Sequence, residues 1–244
     1  MFGLVRKYFF SYINENNDAK IFDKALGKSI KSGMIQNTGE DNILIFNSKF
    51  QQSYKFIVFK EPIVLEKQLV VHLTKLILKQ LELSKIIPTK TGLEKGDYRQ
   101  RSKGNVESIV SNLVFFKWFY NQDNISVLDM AADIMYRIAV SNHPFTNGNK
   151  RTALLSVGAF LDSIGLYLYF YKIRTKTDYL SKWEDFMINI ASSREQGLTE
   201  DQTLKVIKDK LFESIWMNFS SEVSLHKEIK QNVQKEVSHE ELEL

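Results

Sequence analysis

The chain of 244 residues has no cysteine, three prolines and eleven glycines. The missing cysteines remove disulfides, thiolate zinc sites, iron–sulfur clusters and cysteine nucleophiles together, and their absence fits a reducing compartment. So little proline and glycine argues against a turn-rich all-β chain. No stretch reaches the roughly 18 uncharged apolar residues that would span a bilayer. The opening Met1-Phe2-Gly3-Leu4-Val5-Arg6-Lys7 is apolar for only a few residues before charge arrives, so no leader is expected. A cytoplasmic protein with no membrane partner is the expectation. A strong charge of one sign is also missing, since 33 basic residues face 29 acidic ones and leave +4. The lysines are scattered among Asp, Glu and Asn rather than gathered into stripes with aromatic platforms, so nucleic acid is not a favoured partner.

The remaining composition, 43% hydrophobic, 12% aromatic and 25% charged, is that of a globular chain. At this mass a compact fold hides nearly three-quarters of the surface of the unfolded chain. The first sixty residues read as a small appendage. Asn-, Gly- and Ser-rich stretches at 14–20 and 37–42 separate short apolar runs, and 42–46 and 54–59 are β-branched and aromatic, which predicts a hairpin. Beyond Pro62 helices dominate: Leu65, Leu69, Val70, Leu73, Leu76, Ile77 and Leu81 recur at helical spacing. Further helices are expected over 105–120, 127–141, 149–163, 179–192 and 199–218, and 221–244 carries a thin apolar seam suited to a solvated helix. The predicted class is mainly α, organised as an N-terminal appendage (1–62), a helical domain (63–195) and a C-terminal helical extension (196–244). Residues 88–104 form a basic, glycine-punctuated connector, longer than is usual and of a kind that is often functional.

Chemistry concentrates in His143-Pro144-Phe145-Thr146-Asn147-Gly148-Asn149-Lys150-Arg151. One helix ends near Ser141, Pro144 stiffens the exit, Asn147-Gly148 turns tightly, and a second helix starts at about Asn149. Unpaired N–H groups and the positive end of the dipole make such a helix start an anion site, and Gly148 admits close approach of a phosphate. Lys150 and Arg151 add cations where the dipole disfavours them, which makes sense if they help to hold an anion. With only seven arginines in the chain, one beside a glycine-bearing helix start is less readily filler. His143, six residues earlier, can take a proton from an attacking hydroxyl, although a lone histidine in such a place is more often a structural one on a capped turn. His72 lies within an amphipathic helix, and His226 and His239 lie on a charged tail, so none of the three suggests chemistry.

This segment resembles the active-site loop of the Fic/Doc (Fido) family, whose pattern is His-x-Phe-x-Asp/Glu-Gly-Asn-Gly/Lys-Arg, through His143, Phe145, Gly148, Asn149, Lys150 and Arg151. Gly104-Asn105-Val106-Glu107-Ser108 and the helix over 128–141 extend the likeness to roughly 69–168. The resemblance implies a Fido-type helical bundle that moves AMP, phosphate or a related group from ATP, with Mg²⁺, to a Ser, Thr or Tyr hydroxyl of a target protein. It implies His143 as general base, Gly148, Asn149 and Lys150 as the phosphate cradle, Arg151 as a clamp on distal phosphates and Phe145 as the anchor of the loop. Lys150-Arg151-Thr152-Ala153-Leu154 has Leu154 where AMP-transferring members carry a second arginine. It looks like the Doc branch, whose members are phosphotransferase toxins held by a separate antitoxin. Phosphotransfer is therefore expected ahead of AMP transfer, and homo-oligomerisation is left open.

One departure bears on the metal. The acidic position that helps to hold Mg²⁺ is Asn147, whose amide brings no charge, whereas Mg²⁺ on phosphates usually rests on one or two carboxylates. Glu107 or Asp133 could substitute; otherwise activity is weakened, or the chain is a nucleotide- or protein-binding module. A DNA-reading regulator built on the first sixty residues is a third reading, resting only on the hairpin and the lysines. Ser11-Tyr12-Ile13-Asn14-Glu15-Asn16 fits the pattern of the family's inhibitory helix, which makes Glu15 a weak inhibitory candidate beside the alternative of a polar turn after Tyr8-Phe9-Phe10.

Overall fold

A computed structural model describes residues 4–40, 42–47, 53–86, 96–169, 178–219 and 225–231. The class is mainly α with a small N-terminal sheet. Strand β1 (Leu4–Tyr12) is followed by helix α1 (Glu15–Lys31) and by strands β2 (Ile35–Asn37), β3 (Ile43–Asn47) and β4 (Ser53–Pro62). The expected hairpin is β3 and β4, antiparallel with Leu44 opposite Phe56. The sheet order is β1-β4-β3-β2, and β1 runs parallel to β4 from the Leu4–Tyr54 pair to the Tyr12–Pro62 pair. A parallel pair needs a long crossover, and α1 with β2 and β3 supplies it. The polar stretch over 14–20 is thus the first turn of a 17-residue helix rather than a loop. Asn14 caps that helix by accepting from the Asn17 N–H at 3.1 Å, and Ile21, Phe22 and Ala25 form its buried stripe.

The helical part comprises α2 (Lys67–Ser84), α3 (Asn105–Asn112), α4 (Val127–Tyr136), α5 (Asn149–Ser163), α6 (Asp178–Ala191) and α7 (Glu200–Ser214). Two of the expected long helices change winding before they end. Residues Leu113–Trp118 continue α3 as a π-helical turn, and Arg137–Ser141 do the same after α4. The expected helix over 199–218 stops at Ser214, and Ile215–Met217 form a strand, β6, paired antiparallel with β5 (Leu166–Leu168). Residues 225–231 are helical; the rest of the expected C-terminal helix, 221–224 and 232–244, lies outside the described residues.

Helix α5 is the hub, touching α2, α4, α6 and β5. It buries Ala153, Val157, Phe160 and Leu161, with Thr152, Ser156, Gly158 and Ser163 as small spacers. The N-terminal sheet shares this core and is not set apart from it. Tyr8 donates to the Gly165 carbonyl, Ser11 N–H donates to Ile164 O at 3.1 Å, and Phe219 packs on Tyr8 and Phe56 at 5.2 and 5.0 Å. Gly165, at φ 88°, permits this close approach, because a Cβ there would lie 2.0 Å from the Phe9 carbonyl oxygen. Among the described residues no helix is long and apolar enough to cross a membrane.

Candidate active site

The loop 142–148 joins the π turn after α4 to the first turn of α5, so a buried helix supports each end. The capping box of α4, Ser126 with Asp129, and a nearly continuous run of buried residues from Val127 to Tyr136 fix its far end. Phe145 is fully buried and anchors the middle of the loop. Gly148 caps α5 in the left-handed conformation (φ 76°), and no acidic residue stands in the first turn of that helix. The unpaired N–H groups at this helix start therefore face the surface with Lys150 exposed and Arg151 half-buried beside them, an arrangement suited to an anion.

His143 also sits in left-handed backbone space, at φ 42°, where a non-glycine residue stores on the order of 1–3 kcal/mol. Its Nε2 lies 2.7 Å from the Ala139 carbonyl oxygen. A carbonyl can only accept, so Nε2 carries the proton and Nδ1 of the neutral ring keeps the lone pair. The tautomer of the candidate base is thus set by the last turn of the preceding helix.

Asn149 behaves differently from its expected place in the phosphate cradle. Its Oδ1 accepts from Phe145 N–H at 3.0 Å and its Nδ2 donates to Phe145 O at 2.9 Å. The side chain is spent on a two-bond staple across the loop, and only backbone N–H groups remain for an anion. Asn147 departs as well: its Oδ1 accepts from Gly148 N–H at 2.7 Å.

The second wall of the site is the end of the connector. Gln100 bridges antiparallel to Phe145, with Arg101 N–H donating to Pro144 O at 2.8 Å and Thr146 N–H to Arg99 O at 3.0 Å. Thr146 Oγ1 donates to Asp97 O at 2.6 Å, and Arg101 Nε donates to Phe145 O at 3.2 Å. The connector does flank the loop as its length suggests. The edge formed by Arg99 and Arg101 is already paired with the loop, however, and is not open to an extended substrate. Residues 87–95 lie outside the described residues.

Tyr98 and Arg101 are the residues that the sequence reading missed. The Tyr98 ring lies over Gly148, where a Cβ would come within 2.7 Å of it, and its hydroxyl accepts from Arg151 Nη2. The Arg151 guanidinium is also 5.5 Å from the centre of the Tyr98 ring. The available signal was a tyrosine followed by two arginines within a glycine-bearing connector, but nothing in the sequence fixed its register against a loop more than forty residues away.

A divalent cation is poorly served here. The carbonyl oxygen of Asn147 is engaged, Asp97 is paired with Arg99 at 2.7 Å, and Asp133 is buried on α4. There it accepts from Lys117 Nζ at 2.7 Å and Trp118 Nε1 at 2.8 Å, so it holds the π turn 113–118 and cannot replace the missing carboxylate. Burial raises the Asp133 pKa, with Lys117 opposing the shift. Glu107 stands exposed in the first turn of α3. Among the described residues no three His, Asp or Glu side chains gather into a metal site. The side chains present do not fit Mg²⁺.

Glu15 is not brought to the loop. It lies in the first turn of α1, beside Asn14, which donates to Asp123 O at 2.9 Å, and near Asp18, which accepts from Val127 N–H at 2.9 Å. That is the start of α4, whereas His143 follows its other end, about 20 Å away at 1.5 Å per residue.

A family model described as Fic/DOC family matches residues 65–161. These residues are a Fic/DOC domain. The match runs from just ahead of α2 through the loop and most of α5, so both walls of the site lie inside it. The family match supports transferase activity and does not separate its branches. No curated protein and no solved structure matches the chain. The N-terminal sheet, β5, β6, α6 and α7 are outside the match, and α6 and α7 pack on α5 and α4 within it.

Proposed function

We propose that this Fic/DOC domain transfers a phosphate-containing group from ATP to a Ser, Thr or Tyr hydroxyl of a target protein, with γ-phosphoryl transfer of the Doc type favoured over AMP transfer. The observation that carries the reading is the mounting of His143. Its Nε2 is tied to the Ala139 carbonyl and its Nδ1 is left basic, on the same short loop as a cation-bearing helix N-terminus. In the reaction, the target hydroxyl oxygen attacks phosphorus and Nδ1 of His143 takes its proton. The backbone N–H groups of Asn149 and Lys150 and the Arg151 guanidinium hold the charge that builds on the phosphoryl oxygens, with Gly148 giving them close approach. Catalysis of this kind is mostly positioning and charge stabilisation, which the Asn149 staple and the buried Phe145 serve by holding the loop rigid. Leu154, in place of a second arginine, supports the Doc-type preference. A separate antitoxin is the regulator that this reading implies, since Glu15 is remote from the loop.

A second reading, a nucleotide- or protein-binding module, is favoured by the Asn147 contact and by the engagement of Arg151 with Tyr98. One experiment separates the readings. The protein and His143→Ala are incubated with a cell lysate and ATP labelled at the α or the γ phosphate, with and without Mg²⁺. Labelling from the γ position that is lost in the variant is the expected result. His143-dependent α label means AMP transfer, and silence from both labels overturns the enzyme reading.

A further inference from the structure

Away from the motif loop, the ends of β1 and β4, the start of α2 and the helical segment 225–231 enclose a cavity of about 230 Å³. We propose that this cavity binds a small organic ammonium ion, a primary amine with a short apolar body, through the carboxylate of Glu61. Most of the lining belongs to parts of the chain outside the Fic/DOC match. The cavity stands at the start of α2, whereas the motif loop stands at its far end, where Ser84 Oγ accepts from Thr152 Oγ1 at 3.2 Å. Helix α2 has 18 residues, so the two are separated by about 27 Å of helix.

Glu61 lines the cavity and is half-buried; its Oε2 is closed off from water and has no hydrogen-bond partner. Among the described residues it makes no ion pair either. A carboxylate taken out of water is costly unless a counter-charge or donors replace its hydration. The other carboxylate of the cavity, Glu66, has such donors: Gln68, with its amide nitrogen turned toward it, donates to the two oxygens at 2.5 and 2.9 Å. Ser11 stands opposite Glu61 in the β1–β4 register and is buried. The two side chains therefore share one face of the sheet, and the Ser11 hydroxyl adds an acceptor beside the carboxylate.

The lining selects the ligand. A primary ammonium group carries only donors, which suits a carboxylate with a hydroxyl beside it. A metal ion such as Ca²⁺ takes about six to eight oxygens, and among the described residues no three acidic or histidine side chains gather. A quaternary ammonium calls for aromatic walls, and no Phe, Tyr or Trp lines the cavity. The walls are instead aliphatic, with Ile63 and Leu225 buried and Ile229 packed on the core, which suits a short alkyl chain. At about 30 Å³ per water, the volume holds roughly seven waters, or an organic molecule of about as many heavy atoms. At the exposed rim the charges of Glu66 and Lys230 offset each other, so Glu61 decides the sign of the ligand.

The test uses the full chain, with n-pentylamine hydrochloride as the probe and 1-pentanol as its uncharged counterpart of the same length. In calorimetric titration at neutral pH, where an alkylamine is protonated as a lysine side chain is, the amine should bind and 1-pentanol should bind roughly tenfold or more weakly. Glu61→Gln keeps the shape and removes the charge. It should weaken the amine by a similar factor, leave 1-pentanol unchanged and melt no lower than the parent, since it relieves an unpaired carboxylate. Ile229→Phe narrows the cavity and should weaken both probes, with circular dichroism confirming that the variant is folded. Absence of amine binding overturns the proposal, as does equal binding of the two probes or a Glu61→Gln protein that holds the amine as well as the parent does. Unchanged binding of both probes to folded Ile229→Phe overturns the placement in this cavity. No arm reads transfer activity, so a failure here is distinct from a failure of the proposed reaction.

Discussion

Removing the Asn149 staple tests the account of how the loop is held. Asn149→Ala deletes the bond from Phe145 N–H at 3.0 Å and the bond to Phe145 O at 2.9 Å. The carbonyl keeps Arg101 Nε at 3.2 Å, so that loss is the net worth of one bond, about 1 kcal/mol. The N–H belongs to a fully buried residue, and leaving it unsatisfied costs about 1–3 kcal/mol. The gain in helix propensity from alanine is a few tenths of a kcal/mol, and the net expectation is a loss of about 2–3 kcal/mol in urea unfolding followed by circular dichroism. Transfer should fall further than stability alone explains, since a displacement of about 1 Å at a reacting centre can cost on the order of a hundredfold. Arg101→Ala alone should cost only about 1 kcal/mol, because Asn149 still serves the carbonyl. In the double variant Phe145 O loses both partners, and the cost should exceed the sum of the two single changes. An Asn149→Ala protein within 0.5 kcal/mol of the parent would refute the staple, as would strict additivity with Arg101→Ala.

Gly165→Ala forces a Cβ to 2.0 Å from the Phe9 carbonyl at a φ of 88°, and should cost more than about 4 kcal/mol or prevent folding; thermal denaturation reports this. Asp162 has its pKa raised to about 6 by burial and then by Glu228. The folded state therefore disfavours its ionised form, and stability falls as pH rises from about 4 through 6. After discounting for its partial exposure, Asp162→Asn should stabilise by about 1–2 kcal/mol at pH 7.5 and by almost nothing at pH 4, as read from urea midpoints at the two pH values. Tyr98→Phe removes the hydroxyl that competes for Arg151 and keeps the ring over Gly148, so nucleotide binding measured by calorimetry should tighten by roughly five- to tenfold. Weaker binding would mean that the hydroxyl positions Arg151 instead.

Much of this architecture is legible in the sequence because periodicity and capping act locally. Leu69, Val70, Leu73, Ile77 and Leu81 specify α2 by their spacing, and Gly148 with the apolar run after it marks the start of α5. What was not legible depends on distant partners. The polar composition over 14–20 hides a helix because Asn14 and Asp18 serve as caps and as ties to the start of α4, functions invisible without that neighbour. Ile215–Met217 continue the apolar pattern of α7 and become a strand only because Leu166–Leu168 offer an edge. At the site, residue types announce an anion cradle, but the same asparagine can face a phosphate or fold back onto the loop. The nearby Phe145 backbone, fully buried and in need of partners, decides for Asn149.

The π turn at Arg137–Ser141 gives the loop its aim. Each residue of an ordinary helix advances the chain by about 100° around the axis, and a π turn accommodates one residue more than an α turn. Deleting a single residue from 137–141 would restore uniform winding and leave the sequence of the motif untouched, yet His143 would emerge about a quarter-turn away from where it now stands. Its imidazole would lose the Ala139 carbonyl and face a different side of the bundle. In this fold the direction of the base is therefore set by residue count in the preceding helix, and motif identity alone does not fix where His143 points.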